Sequence, residues 1–145
     1  IWRAFDETIE FAIDSAACLA GSDVVMLCTS SGTPVIDPSD TGKPSVFTSI
    51  STNVANAHEV PPTFLNEAEI YCDYLPTTPA SAGEMKLAVA SGNWSPEMIV
   101  GDLSGLVCGT CPKPARNKPV FFRSIGLGLE DVAVAFGIWK LSQTG

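Results

Sequence analysis

Basic side chains are scarce in this sequence. Its 145 residues include 8 Lys and Arg against 16 Asp and Glu, and the formal net charge is −8. A nucleic-acid surface needs clustered Lys and Arg to neutralise phosphates, so no nucleic-acid partner is expected. We interpret the acidic excess as a contribution to solubility.

Long apolar runs are also lacking. The strongest, residues 24–28 and 132–139, are far shorter than the ~20 residues that cross a bilayer, so no membrane span is expected. No basic start leads into an apolar segment, as a secretory signal would. Cysteine occurs 5 times, an odd number, and Cys18 and Cys28 lie in apolar stretches, where a reduced thiol acts as a small hydrophobe. A cytoplasmic location is therefore expected.

Metal-ligand patterns are nearly absent. His58 is the only histidine, and Cys108 and Cys111 form one isolated Cys-x-x-Cys pair. A structural zinc site needs a second such pair or further histidines. We expect no metal site and interpret the cysteine pair as part of a loop.

Helical and strand patterns alternate along the chain. A helix is expected to end near residue 22, and the apolar run 23–28 is typical of a strand buried on both faces of a parallel sheet. Further strands are expected at 45–50 and 69–73, and helices at 62–68, 81–90 and 95–108. This order predicts an α/β fold, the later part of a Rossmann-type doubly wound parallel sheet.

A segment rich in Pro, Gly and basic residues, 109–118, precedes a strand at 119–124 and a helix at 125–142. We place a domain boundary there, with a partial nucleotide-binding domain at 1–112 and a C-terminal segment at 113–145. The last helix is apolar around most of its circumference, which predicts packing partners that this chain does not obviously supply. No Gly-x-Gly-x-x-Gly phosphate loop is present. The chain is therefore expected to be the later portion of a nucleotide-binding enzyme.

Three stretches, 23–30, 50–60 and 120–132, resemble the ornithine cyclodeaminase/mu-crystallin family. Members typically carry Phe-Lys-Ser-x-Gly-x-x-x-Glu-Asp in the last stretch, and this chain keeps that pattern from Phe122 to Asp131 with Arg123 in place of the lysine. The resemblance implies a Rossmann domain inserted in a substrate and dimerisation domain, to which the last strand and helix return. It also implies an NADP(H) or NAD(H) cofactor and a homodimer formed through the C-terminal helix region and an N-terminal domain.

The resemblance assigns cofactor contacts to two strand ends. Thr29 matches a threonine that touches the dinucleotide, and the backbone of the next strand end borders the nicotinamide; its residues are Phe47, Thr48, Ser49 and Ile50. Both assignments agree with the rule that open α/β sheets bind ligands at the carboxyl ends of strands. The alternative is that these groups only terminate their strands. Arg3 falls where the adenosine ribose is read and favours a 2′-phosphate, hence NADP(H).

Asn53 falls where ornithine cyclodeaminases carry a catalytic aspartate. A carboxamide cannot shuttle a proton as a carboxylate does, but it can donate a hydrogen bond to substrate or water. Asn53 is therefore assigned a catalytic role that suits hydride addition to a preformed C=N bond. Its alternative role is that of a turn residue.

Two further groups are candidates near the substrate. Ile125 and Gly126, after Ser124, fall at the expected start of the last helix, whose free amides favour an anion or carboxamide; simple capping by Ser124 is the alternative. In the resemblance this segment closes over the substrate. His58 is either a proton donor or a surface or interface residue.

Reduction of a small cyclic imino acid by NAD(P)H is the function that these features favour. The substrate would be Δ1-pyrroline-2-carboxylate or Δ1-piperideine-2-carboxylate, and the product L-proline or L-pipecolate. Two alternatives remain open: an ornithine cyclodeaminase, which Asn53 disfavours, and a non-catalytic ligand-binding protein of the mu-crystallin kind.

Overall fold

A parallel sheet forms the framework of the chain. The computed structural model describes residues 8–52 and 54–143, and within them lie the strands β1 (Val24–Leu27), β2 (Val46–Ser49), β3 (Glu69–Cys72), β4 (Ile99–Asp102) and β5 (Val120–Arg123). They pair in the order β1-β2-β5-β3-β4, and every pair is parallel. The expected α/β fold with a parallel sheet is confirmed.

Short helices connect the strands. The α-helices are α1 (Ser15–Leu19), α2 (Thr78–Ser81), α3 (Gly83–Ala90), α4 (Leu103–Cys108) and α5 (Gly128–Ser142). Single 3₁₀ turns span Pro38–Thr41, Pro62–Asn66 and Pro96–Met98, each opened by a proline, whose missing N–H is no loss at a helix start. Among the described residues, no helix combines the length and hydropathy that crossing a membrane requires.

The hydrophobic core lies on one face of the sheet. Phe64 of the second 3₁₀ turn packs edge-on against Phe47 of β2 and Phe121 of β5, with ring centroids 5.1 and 5.9 Å apart. Met85 of α3, fully buried, belongs to the same cluster. This packing holds α3 over the middle of the sheet, where its first residues reach the carboxyl ends of β2 and β5.

The opposite face of β1 is open. Val25 and Leu27 are buried, whereas Val24 and Met26 are 58% and 73% exposed. The expectation of a strand buried on both faces is wrong for the described residues. Among the described residues, the core elements cover only one face of β1, the face that carries Val25 and Leu27.

The helix expected over 95–108 is interrupted by a strand. Its proline start forms only the 3₁₀ turn, β4 follows, and α4 begins after Asp102. Pairing of β4 with β3 outweighs the local helical signals. A Cβ at Gly101 would collide with the Cys111 side chain, so the segment 109–118 folds closely back over β4.

The strand expected beyond the sheet lies inside it. β5 pairs with β2 on one side and β3 on the other, so residues 119–124 are not separated from the sheet, contrary to the sequence-based expectation. Segment 109–118 is a return connection, fixed where the Tyr71 hydroxyl donates to the Pro112 carbonyl at 2.9 Å. Strand pairing between residues this distant in sequence leaves no local pattern. The division of the chain into domains at 1–112 and 113–145 stays a prediction.

Helix α5 has no buried residue. Its apolar side chains are largely exposed, including Leu129 at 76%, Ile138 at 65% and Trp139 at 55%. The expectation that α5 packs against partners this chain does not supply stays a prediction. The helix begins at Gly128, three positions after the expected start.

Candidate functional site

Polar residues collect at the carboxyl edge of the sheet. Because the strands are parallel, their C-terminal ends meet at one edge. Thr29 follows β1, Ser49 ends β2, Asp73 follows β3 and Ser124 follows β5. This is the edge at which open α/β sheets bind ligands.

Glu59 joins the ends of β1 and β2. Its side chain is fully buried, and its two oxygens accept hydrogen bonds from the Thr29 amide at 2.6 Å and the Ser49 hydroxyl at 2.7 Å. Burial raises the pKa of Glu59, but the hydrogen bonds from Ser49 and Thr29 outweigh burial and hold that pKa below its ordinary value. Glu59 is therefore ionised, and its two hydrogen bonds fix the spacing of the two strand ends. We call this arrangement the Glu59 clasp.

Replacement of Glu59 should distinguish shape from charge. In Glu59→Gln, the amide oxygen keeps the Thr29 contact and the Ser49 hydroxyl rotates to accept from the new NH₂ group, so we expect a loss of about 1 kcal/mol of unfolding free energy. Glu59→Ala leaves both donors unpaired and should cost about 2–3 kcal/mol. Urea unfolding measures both, with Glu67→Gln, an exposed position, as control. Equal losses for Gln and Ala would contradict the clasp.

Asp73 anchors the segment that follows β5. Its Oδ2 accepts from the Ser124 hydroxyl at 3.0 Å and from the amides of Ile125 at 2.8 Å and Gly126 at 3.0 Å. Its Oδ1 accepts from the Thr78 hydroxyl at 2.6 Å and the Tyr74 amide at 2.8 Å. Burial raises the pKa of Asp73, but the hydrogen bonds from Thr78, Ile125 and Ser124 outweigh burial and lower it.

The amides of Ile125 and Gly126 are thus already engaged by a protein carboxylate. They do not form a free helix N-terminus as the sequence suggested, since α5 starts at Gly128. Capping of α5 by Ser124 is not observed either, because the N-cap position is Leu127. The assignment of Ile125 and Gly126 to substrate contact stays a prediction.

Arg123, the last residue of β5, and Glu84, in the first turn of α3, form a buried ion pair next to the carboxyl edge of the sheet. Arg123 is 1% exposed and Glu84 0%, and Nε donates to Glu84 Oε1 at 2.9 Å. Burial raises the pKa of Glu84, and the Arg123 guanidinium opposes that rise. The four remaining guanidinium N–H groups face backbone carbonyls of Ser49, Ser51, Ala57 and Ser124.

Gly83 lets helix α3 approach the loop after β2. A Cβ at this position would collide with the Asn56 carbonyl, and the Gly83 amide donates to the Ala57 carbonyl at 3.1 Å. We expect Gly83→Ala to cost about 2 kcal/mol of unfolding free energy, since the backbone must move. Gly128→Ala, where a Cβ meets nothing within 4 Å among the described residues, is the control. Thermal unfolding of both variants is the measurement, and a Gly83→Ala midpoint equal to the parent's would contradict the close approach.

The residues assigned to the cofactor divide by exposure. Thr29 is exposed and Ile50 is 52% exposed at the edge, whereas Phe47 and Ser49 are buried and Thr48 is half-buried. The Phe47 side chain belongs to the core and the Ser49 hydroxyl serves Glu59, so any cofactor contact of these two is through backbone. Asn53 and Arg3, assigned from sequence, lie outside the described residues.

The side chains exposed at the carboxyl edge of the sheet suit a nicotinamide nucleotide. An exposed hydroxyl at Thr29 and an exposed apolar side chain at Ile50 follow adjacent parallel strands, a combination that suits a polar carboxamide on an apolar ring. In the ranges 8–52 and 54–143, no group of three or more His, Cys, Asp or Glu side chains is placed to hold a metal ion. Cys108 and Cys111 are free thiols.

Several structural residues of the site were not identified from sequence. No role is assigned to Asp73, Glu84 or Glu59 from the sequence. His58 is buried, and its Nδ1 contacts the Asn56 carbonyl at 2.7 Å, so it is not a surface residue; an interface position or a proton-donor role stays a prediction. No local sequence pattern distinguishes a buried acid from the many exposed acids of this sequence. Only the short spacing between Glu59 and the end of β2 could have indicated that its side chain binds the strand ends.

Similar proteins share this chain's sequence and fold. Over 99% of its length, the chain is 50% identical to an NAD(P)H-dependent anabolic L-arginine dehydrogenase, DauB, of Pseudomonas aeruginosa, and it covers 45% of that protein. It is 23% identical to a Δ1-pyrroline-2-carboxylate reductase of Colwellia psychrerythraea over 90% of the chain and 42% of that protein. The iminosuccinate reductase of Paracoccus denitrificans, solved with NAD⁺, superposes with a TM-score of 0.76 at 27% identity, over 86% of this chain and 38% of that one.

The chain thus spans less than half the length of these relatives. The family model of the ornithine cyclodeaminases and mu-crystallins matches residues 2–143, which confirms the resemblance carried by the stretches 23–30, 50–60 and 120–132. By this match over nearly its whole length, the chain belongs to the ornithine cyclodeaminase/mu-crystallin family.

Proposed function

We propose that the whole protein uses NAD(P)H to reduce the C=N bond of a 2-imino acid, giving an amino acid. The observation that carries the proposal is the 50% identity, over nearly the entire chain, to an NAD(P)H-dependent L-arginine dehydrogenase. Condensation of a 2-oxo acid with ammonia gives an imino acid, so such a dehydrogenase and a cyclic imine reductase share one reducible bond.

The linear imino acid derived from 2-ketoarginine is therefore the first substrate to test. The cyclic imino acids expected from sequence are the second candidate, supported by the 23% identity to a Δ1-pyrroline-2-carboxylate reductase. In both cases a bound nicotinamide would supply hydride for the imine carbon, and the imine nitrogen would take up a proton.

The described residues would act by positioning. The Glu59 clasp fixes the strand ends carrying Thr29 and Ser49, with Thr29 as the side-chain contact to the nucleotide. Exposed Ile50 offers an apolar surface for the nicotinamide ring. Asp73 fixes the segment Ser124 to Gly126 at the same edge, where it would border the substrate. Such fixed geometry is the protein's main contribution when a cofactor carries the chemistry.

Asn53 remains the proposed catalytic residue, as a hydrogen-bond donor to the substrate. We expect Asn53→Ala to lower kcat on the order of a hundredfold, the scale reported for loss of one well-placed donor, with the unfolding midpoint unchanged. Asn66→Ala, at an exposed position, is the control. Steady-state kinetics and thermal unfolding are the measurements. A lowered midpoint with unchanged kcat would instead identify a turn residue.

Oxidation of NADPH and NADH by the whole protein tests the function. The first reaction contains 2-ketoarginine with ammonium, the second Δ1-pyrroline-2-carboxylate, and the third ornithine with NAD⁺ as the cyclodeaminase control. We expect oxidation that depends on the imine or on both of its precursors. Ammonia release from ornithine without imine reduction would contradict the proposal in favour of a cyclodeaminase, and inactivity in all three reactions would favour a ligand-binding protein.

A further inference from the structure

The hydrogen bonds of Arg123 account for every donor that its guanidinium possesses. Nε donates to Glu84, Nη1 to the carbonyls of Ser49 at 3.2 Å and Ser124 at 2.9 Å, and Nη2 to those of Ser51 and Ala57. A guanidinium has five N–H donors in a rigid planar fork. All five are used inside the protein, so Arg123 has no donor left for a ligand.

These acceptors share a location. Ser51 and Ala57 stand on either side of residue 53 in the sequence, and Ser49 ends the strand before it. One side chain therefore reaches both the entry and the exit of the 50–58 loop and ties them to β5. The exit is also held by Gly83 and the His58 side chain, whereas the entry has the Ser51 hydroxyl bond to the Ser31 carbonyl at 3.1 Å.

Glu84 makes this arrangement possible electrostatically. A cation that is 1% exposed needs a nearby counter-charge, and Glu84 supplies it from the first turn of α3. Among the described residues, Glu84 Oε2 has no hydrogen-bond partner. The pair is therefore less stabilising than one in which every polar atom is hydrogen-bonded. Replacing a buried ion pair by apolar residues is often neutral or stabilising. A variant that lacks both charges therefore removes the hydrogen bonds of Arg123 without leaving an unpaired charge in the core.

We infer that Arg123 is a positioning residue for the reaction, which fixes the described parts of the 50–58 loop against the carboxyl edge so that the end of β2 faces the substrate. The inference rests on the proposed function for its catalytic consequence. Its structural part, control of the loop by Arg123, can be measured without turnover.

The test uses the whole protein with the charge-free double variant Arg123→Met with Glu84→Leu. We expect an unfolding midpoint between those of the parent and of Arg123→Met, faster hydrogen exchange of the amides in 50–58, and a kcat lower by roughly a hundredfold, as for misplacement of a reacting group. The Kd for NADPH, read from its fluorescence, should change less than about threefold, because the main phosphate contacts of such nucleotides come from a glycine-rich loop. The matched control removes the exposed pair between Lys43 and Asp23, as Lys43→Met with Asp23→Asn, and should change none of these quantities.

Unchanged exchange in 50–58 would overturn the inference, whatever happens to kcat, and so would faster exchange with an unchanged kcat. If the double variant does not fold, Arg123→Lys takes its place, since an ammonium has three donors and cannot serve all five acceptors; unchanged exchange there would equally overturn the inference. If the parent reduces no imine, the proposed function fails, while faster exchange in the variant still supports control of the loop.

Discussion

Replacing Arg123 alone by Met is expected to lower the free energy of unfolding by about 3–5 kcal/mol, the usual cost of removing one partner from a buried ion pair. The variant leaves Glu84 buried without its counter-charge, and it leaves the carbonyls of Ser49, Ser51 and Ala57 without this donor. Urea unfolding at pH 7 measures the loss. The double variant with Glu84→Leu should recover part of it, because no uncompensated charge remains although the Ser51 and Ser124 carbonyls still lack their Arg123 donors.

The loss should depend on pH in a defined direction. Burial raises the pKa of Glu84, and removing Arg123 removes the largest effect that opposes that rise. A carboxyl whose folded-state pKa lies above its unfolded value binds more protons when folded, so its effect on stability worsens as pH rises. Arg123→Met should therefore be less destabilising at pH 5 than at pH 8. A loss that is the same at both pH values would show that missing hydrogen bonds, and not the Glu84 charge, account for it.

The second large effect is expected for Asp73→Asn, about 3–4 kcal/mol of unfolding free energy. One oxygen becomes an NH₂ group facing the donors that the carboxylate accepts, either the Tyr74 and Thr78 pair or the Ser124, Ile125 and Gly126 set. Each buried group left unsatisfied costs about 1–3 kcal/mol, and hydroxyls can rotate whereas amides cannot. The segment leading into α5 loses its anchor.

Acid unfolding gives an independent reading of the same carboxylate. The pKa of Asp73 is lowered in the folded protein, as the hydrogen bonds overcome burial, so its stabilising effect is present above the unfolded value near ~3.9. That effect is lost as pH falls through the folded value. The parent should lose stability more steeply below pH ~4 than Asp73→Asn does, with Asp23→Asn, an exposed position, as control. Identical acid profiles for parent and Asp73→Asn would contradict the assignment.

The elements with a clear local pattern could be predicted from the sequence. The apolar runs became β1, β2 and β3, and the last apolar helix became α5, because each pattern is contained in a few consecutive residues. The strand at β4 could not be separated from a helix, since Ser95, Pro96 and Glu97 form a helix-start signature that ends as a 3₁₀ turn. The central place of β5 depends on pairing with β2 and β3, which no local pattern records.

In the candidate site, too, only the residues with a local sequence pattern could be predicted. Thr29 and Ile50 could be placed at the carboxyl edge because parallel strands end together. The carboxylates that organise this edge could not, because Glu84 pairs with Arg123, 39 residues away in the sequence, and Asp73 binds Ser124, 51 residues away. Arg123 was noticed only as a departure from the family signature. Its five internal hydrogen bonds depend on the fold that brings β2, β5 and α3 together.

Transfer of deuterium from the nicotinamide to the product is the most direct test of the proposed function. The whole protein is incubated with NADPH carrying two deuterium atoms at C4, in one reaction with 2-ketoarginine and ammonium and in another with Δ1-pyrroline-2-carboxylate. Mass spectrometry of the amino acid formed should find one deuterium, at the α-carbon, because hydride goes directly to the imine carbon. An amino acid without deuterium, or no amino acid from either substrate, would contradict the proposal.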